Sequence, residues 1–401
     1  MSLLDRAFDS LFSYFGVSSE REKLALVVLL GTVLGFFAFL AVAFQEHAWI
    51  TDAQGHPLVR DFLAFWAAGH QALNGSAPAA YDPRLEHVAE VAAMGHPFDG
   101  GFGWSYPPLF LFVAAALAAM PYTAAFLLWC GATAALFAVV VAYIARDRRA
   151  LIVAPLTPWA VTSVLVGQNG MLTASLVGMA LVWLEERPVL SGLMLGLLSY
   201  KPQFGVLIPL ALIAGGYWRA FASAAVSVVL LNGIAVMVFG PATLSQFFGS
   251  LASTAQSHLY GGITWNRLQS AYGLSRALGI PGRAAMTIQI VLSVMLAGVV
   301  VYAWRLGTAS LAMKSAVLTA ALALATPYVF AYDLPVLAVS LAFLHRDRRL
   351  DGKEWALSAL AGLCAFLFFV IPFPVALAST LLVGFIVARR AWPFLGSRMR
   401  A

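Results

Sequence analysis

Residues 24–44 read "LALVVLLGTVLGFFAFLAVAF", an unbroken run without one ionisable side chain. As a helix it extends about 31 Å, the thickness of the hydrocarbon core of a bilayer. Arg21 and Lys23 stand at its near end, and basic residues are retained on the cytoplasmic side of a membrane. The run therefore reads as a first span leaving a cytoplasmic N-terminus. The remaining sequence has the same character: 61% of the 401 residues are hydrophobic and 10% charged, with a mean hydropathy of +0.85. A soluble domain carries about 25% charged residues, so this composition supplies no water-facing surface. Apolar runs of about 20 residues without period-two alternation exclude an outer-membrane barrel. The expectation is an all-α polytopic membrane protein with roughly ten to thirteen transmembrane or re-entrant helices, forming one integral membrane domain over residues 1–401.

The net charge of +6 does not point to nucleic acid. Its arginines cluster at the ends of apolar runs, as Arg146, Arg148 and Arg149, then Arg346, Arg348 and Arg349, then Arg389 and Arg390. That is the pattern of loops held in the cytoplasm, and no basic stripe interleaved with aromatics is present. Cys130 and Cys364 lie inside apolar runs and read as packing residues. The opening "MSLLDRAFDSLFSYFGVSSEREK" is too polar for a cleaved leader. Its Leu4, Phe8, Phe12 and Phe15 recur at helical spacing, as in a helix lying in the cytoplasmic interface.

Residues 45–106 form the most polar part of the chain, with Asp52, Asp61, Asp82, Glu86, Glu90 and Asp99 beside His56, His70, His87 and His96. They read as a first extracytoplasmic loop carrying two helices at the membrane surface, over 61–73 and 83–94. The second has Asp82 as N-cap and Pro83 at its first position. Residues 107–120 rise only about 21 Å as a helix, short of a full crossing, and read as re-entrant. From 107 to 239 the apolar runs are interrupted by "GQNG" (167–170) and "KPQ" (201–203). A second extracytoplasmic loop is expected over 240–282, and C-terminal helices over 284–388, broken at "TPYVFAYD" (326–333). The histidine spacing fits no chelating pattern; no metal or other cofactor is indicated, although a divalent ion near Asp61 is compatible with the residues.

An amide or ionisable side chain in a membrane helix costs a few kcal/mol, so each marks a functional site by default. Four such places stand out: Gln168 and Asn169 between two glycines; Lys201 and Gln203 around Pro202; Asp333 after Tyr328 and Tyr332; and Asp61 with Arg60 at the bilayer edge. Interrupted helices are tolerated at membrane depth only where they face protein or water. Counting spans back from the arginine clusters gathers all four on the outer face, with the loop of His258, Asn266 and Arg267.

The stretches "DFLAFWAAGHQALNGSAPAAYD", "YPPLFLFVAAALAAMPY", "GQNG", "KPQFGVLIPLALI" and "TPYVFAYDLPVL" together resemble glycosyltransferase family 87, which includes polyprenol-phosphate-mannose-dependent mannosyltransferases. The likeness runs over roughly residues 61–337. It implies a GT-C fold in the cytoplasmic membrane, with an active site facing the periplasm or extracytoplasm. It implies a polyprenyl-phosphate-linked sugar donor, with mannose or another hexose or pentose, and a glycolipid or glycan acceptor. An aspartate in the first outer loop is the catalytic base of such enzymes, and the matching position is Asp61.

On that basis Asp61 is expected to deprotonate the acceptor hydroxyl, with inversion at the anomeric carbon. Lys201, Arg267 and Arg60 are candidates for the donor phosphate. Gln168, Asn169, Gln203, His258, Asn266, Tyr328, Tyr332 and Asp333 are candidates for sugar or acceptor, with Tyr106 and Trp66 stacking on a sugar face. A secondary transporter or lipid-linked sugar flippase is the rival reading, since broken helices with polar residues serve transport too. A transporter, however, shows paired breaks in matching halves, whereas "GQNG" and "KPQ" both fall in the first half.

Overall fold

The protein is described here by a computed structural model covering residues 3–58, 60–260 and 265–396. The described residues are helical, without a β-sheet. Amphipathic α1 (Leu3–Phe15) turns at Gly16, φ 64°, into α2 (Glu20–Gln45). Residues 46–61 lead to α3 (Phe62–Leu73), then a 3-10 turn at Ala77–Tyr81 and α4 (Pro83–Met94). Asp82 caps α4 through the N–H groups of Arg84 and Leu85 at 2.9 and 3.3 Å, and Pro83 opens it as expected. A second 3-10 turn, Pro108–Phe110, precedes α5 (Leu111–Ala118).

Two readings of this region divide. Segment 107–120, read as re-entrant, is a 3-10 turn followed by a helix of only eight residues, short of a bilayer crossing; Phe110 stacks on Tyr200 at 4.7 Å, and Met120 O accepts the indole N–H of Trp66 at 3.0 Å. By contrast α3, read as a surface helix, is enclosed. Phe62, Leu63, Phe65 and Ala68 are fully buried, because the aromatic face meets Phe126, Phe110 and Trp129 at 5.3, 5.2 and 5.9 Å. Its other side lies so close to α5 that a Cβ on Gly69 would fall 2.1 Å from Ala114 O.

The chain then runs back and forth through α6 (Tyr122–Ala145), α7 (Ala150–Val153), α8 (Pro158–Val166), α9 (Gly170–Val182), α10 (Pro188–Leu197), α11 (Ile208–Ala214) and α12 (Trp218–Phe239). Residues 240–282, expected as a loop, hold two helices: α13 (Pro241–Tyr260) and α14 (Ala271–Ala277). The stretch is polar but nearly free of charge, Pro241 sits at a helix start, and Phe247 is buried against Tyr81 at 6.0 Å. Then come α15 (Gly282–Arg305), α16 (Leu311–Ala325), α17 (Pro335–Asp347), α18 (Gly352–Leu367) and α19 (Leu377–Gly396). Among the described residues, only α2, α6, α12 and α15 are long and apolar enough to cross a bilayer unaided.

One end of the molecule is rich in arginine. There Arg149 donates to Tyr14 O of α1 at 3.2 Å, and Arg390 donates to Leu344 O at 2.8 Å and pairs with Glu354. The interrupted helices turn toward the opposite end but stop below it. Parallel α10 and α12 touch through Gly192 and Gly196, where added Cβ atoms would lie 2.4 and 2.3 Å from Ser223 and Ser227. Asn232 of α12 donates to Ser199 at 3.0 Å, and α12 continues seven residues further to Phe239, about 10 Å of helix. The break after Ser199 is thus recessed by that depth.

Candidate active site

Three helix breaks build a recess, and each has a local cause. Gly167 ends α8 in the left-handed conformation (φ 70°), and Trp129 satisfies its carbonyl at 2.9 Å. Gly170 opens α9 where a Cβ would sit 1.6 Å from Tyr332 O, so only glycine lets "GQNG" press against "TPYVFAYD". Ser163 fixes the same contact by donating to Tyr332 O at 2.9 Å. In the second break α10 tightens into a 3-10 turn at Leu198–Tyr200, Lys201 leaves the helical conformation (φ −131°, ψ 69°), and Pro202 offers no N–H to continue the helix. In the third, α16 stops at Ala325, two residues before Pro327, where "TPYVFAYD" begins. Residues 331–333 form a 3-10 turn in which Asp333 Oδ2 accepts Phe330 N–H at 3.0 Å.

The breaks meet in a buried network. Lys201 Nζ donates to Asn169 Oδ1 at 2.7 Å and is ion-paired with Asp333. Lys201 is 2% exposed and Asp333 1%. Lys201 is therefore not the uncommitted cation expected from the sequence, because the carboxylate of Asp333 answers its charge. Its ammonium also lies 5.5 and 5.4 Å from the rings of Phe204 and Tyr332. Thr173 donates to Asn169 O at 3.0 Å and shares a 2.6 Å hydrogen bond with Tyr200. Asn169 Nδ2 is buried beside the Tyr106 hydroxyl, with no hydrogen bond of ordinary geometry among the described residues, a donor at the meeting of the breaks.

Asp61 lies beside this network and is half-buried. It occupies the N-cap of α3, where an aspartate normally accepts a helix N–H, yet its side chain makes no capping bond. Instead Oδ2 accepts Gln168 Nε2 at 3.2 Å. The other end of that amide, Oε1, accepts the hydroxyl of Tyr106 at 3.1 Å and Asn169 N–H at 3.3 Å. The amide orientation is thereby fixed, and Asp61, Gln168, Tyr106 and Asn169 form one chain of hydrogen bonds. Burial pushes the Asp61 carboxyl above its ordinary range, the hydrogen bond from Gln168 and the charges of Arg267 and Arg60 oppose this, and Asp333 adds to it. A carboxylate raised in this way is a better proton acceptor than an exposed one.

The remaining candidates are distributed unevenly. Arg267, exposed in the turn Trp265–Arg267, is within electrostatic reach of Asp61. Arg60 also acts on Asp61 and donates to Ala48 O at 3.2 Å. The hydroxyl of half-buried Tyr332 lies within electrostatic reach of Tyr106, Asp333, Asp61 and Arg267. Trp66 is tied elsewhere: its indole donates to Met120 O and its ring packs on His70 and Tyr122 at 4.4 and 5.9 Å. Tyr328 packs on Tyr272 at 6.5 Å, away from the network, and Asn266 accepts Gln269 through its backbone carbonyl. Gln203 is half-buried next to Lys201, and the side chain of His258 lies outside the described residues. Sequence reasoning passed over Tyr200, Thr173, Ser163 and Gly170; a buried hydroxyl and a glycine beside an amide were the only signals available.

Compared with known proteins, the chain matches the sequence profile of glycosyltransferase family 87 over residues 104–327. No curated protein and no solved structure matches it. The profile covers "GQNG" and "KPQ" and begins after Asp61.

Proposed function

The chain belongs to glycosyltransferase family 87 and is a membrane glycosyltransferase, and from that premise we propose that it moves a sugar from a polyprenyl-phosphate donor to a hydroxyl of a glycolipid or glycan acceptor, with Asp61 as general base. The observation that carries this reading is the posture of Asp61: a helix N-cap withheld from capping and aimed at Gln168. In the reaction the acceptor oxygen attacks the anomeric carbon as the bond from that carbon to the phosphate oxygen breaks. The acceptor proton passes to Asp61 and polyprenyl phosphate departs with the bonding electrons. One base and one displacement give inversion.

Negative charge grows on the departing phosphate, and a fixed cation lowers that barrier. Arg267 fits the task because it is exposed and electrostatically close to Asp61. Lys201, with its charge committed to Asp333, acts instead as a brace that keeps Asn169 and the three breaks in register. Asn169 Nδ2 and Tyr332 are placed to meet sugar hydroxyls. The recess about 10 Å below the end of α12 suits a substrate whose lipid tail remains between helices. The arginine-rich end lies opposite, so the positive-inside rule supports an extracytoplasmic site in the cytoplasmic membrane.

Transfer from radiolabelled polyprenyl-phosphate sugars, assayed in membranes containing the protein, tests the proposal. Asp61→Asn keeps the shape and an acceptor for Gln168 but removes the base, and a loss of about 10²-fold or more is expected. Near-normal transfer by this variant at wild-type abundance would remove Asp61 from that role.

A further inference from the structure

At the arginine-rich end, α6, α9 and α17 finish around a cavity of about 440 Å³. Arg146, Arg148 and Arg346 line it, with Tyr143, Asp147 and Glu186. Asp147 is already engaged: Arg149 Nε reaches its two oxygens at 3.0 and 3.1 Å, Nη2 reaches it at 2.9 Å, and His345 stands 3.9 Å away. Among the described residues, the guanidinium groups of Arg146, Arg148 and Arg346 have no hydrogen bond or ion pair. Arg346 is nonetheless within electrostatic reach of Arg146, which opposes its charge, and of Glu186 and Glu185, which favour it without touching it. Arg146 also ends α6 with a left-handed backbone, φ 55°, uncommon for a residue with a side chain.

We propose that this cavity binds a phosphate-bearing anion and is filled in the membrane by the headgroup of an anionic phospholipid. Three arginines face the two carboxylates of the lining, and Asp147 is already taken up by Arg149, so positive charge is left in excess; an anion that accepts from several guanidinium groups at once relieves it. A guanidinium presents two parallel N–H groups that match a pair of phosphate oxygens. Three guanidinium groups around one void can hold one phosphate from different sides. The choice of a lipid rests on position. Tyr143 is 50% exposed on α6, a helix of spanning length, and tyrosine at the end of such a helix marks the headgroup level. Basic pockets between helices at that level take anionic headgroups. The sugar-transfer site lies at the other end of the molecule, so this inference stands independently of it.

The test is native mass spectrometry of the full chain in neutral detergent, supplied with phosphatidylglycerol or phosphatidylcholine. The wild type is expected to retain one phosphatidylglycerol at least about tenfold better than phosphatidylcholine, the preference expected from charge-assisted bonds. Arg146→Gln combined with Arg346→Gln should abolish the preference, while Arg219→Gln, an exposed arginine outside the cavity, should leave it intact. Should the double variant not fold, Arg148→Gln alone removes one exposed member and should lower retention about threefold. Inorganic phosphate added in competition separates the sources: displacement of the lipid assigns the same site to a soluble anion and overturns the lipid as occupant. Equal retention by wild type and the cavity variants, or no preference in the wild type, overturns the proposal itself.

Discussion

Lys201 and Asp333 lie 132 positions apart, and each, read alone, is an ionisable residue where a membrane protein should have none. Together they neutralise each other. Their burial decides the energetics, because removing one partner leaves an uncompensated charge, at a cost of about 3–5 kcal/mol. Lys201→Met is therefore expected to lower the melting temperature of the detergent-solubilised protein sharply. Adding Asp333→Asn to the same chain should restore more than half of that loss, because the stranded charge is gone and an amide oxygen still accepts Phe330 N–H. A single variant that melts like the wild type would show that the ion pair does not hold the breaks together. The sequence marked both residues but not that they pair with each other. A pairing across 132 positions leaves no local periodicity to read, and a lysine bound by its neighbour looks the same as one free for a phosphate.

Several helix limits set by proline or glycine were legible, though not the start of α13 at Pro241. Pro83 and Asp82 start α4, Gly167 ends α8, and Pro202 parts α10 from α11. Burial was less legible, because it depends on which element arrives from elsewhere in the chain. Glu86 and Glu90, apparently loop acids, are both fully enclosed on α4. Gln71 of α3 donates to Glu86 at 2.8 Å, and Phe102 N–H reaches Glu90 at 3.1 Å, which ties α4 to the segment carrying Tyr106. Burial, with a smaller contribution from the charge of Glu90, pushes the Glu86 carboxyl up to about 9 from its ordinary 4.5. The folded protein then holds a proton that the unfolded chain releases above about 4.5, so stability should fall as pH rises from there toward 9. Glu86→Gln removes the titration while preserving an acceptor for Gln71. It is expected to stabilise the protein at pH 8 by an amount on the order of a few kcal/mol, with no gain near pH 4. Melting temperatures measured across that range decide the matter, and parallel curves for the two proteins would contradict the assignment.

For the whole molecule, composition alone required helices in a membrane, and the positions of the arginines required them to share an end. The structure adds that the passes carrying the breaks are the short ones. Helix α12 runs on to Phe239, whereas α8, α10 and α16 each stop inside the bundle, at Val166, Leu197 and Ala325. Carbonyls at their ends are answered by side chains: Trp129 at Gly167 O, Gln289 at Leu324 O and Ser293 at Ala325 O. A recess of this kind can open on one side only, which makes orientation a property of the entire fold. Introduced cysteines can report it, against native Cys130, which is buried, and Cys364, which is half-buried. Asn74→Cys, exposed at the end of α3 opposite Asp61, should react with a membrane-impermeant maleimide in intact cells. Arg348→Cys, exposed in the arginine-rich turn after α17, should react only once the cells are permeabilised. The reverse pattern would turn the recess toward the cytoplasm. A donor presented on the outer leaflet could not then reach Asp61, and the enzyme would have to draw its lipid-linked sugar from the inner leaflet.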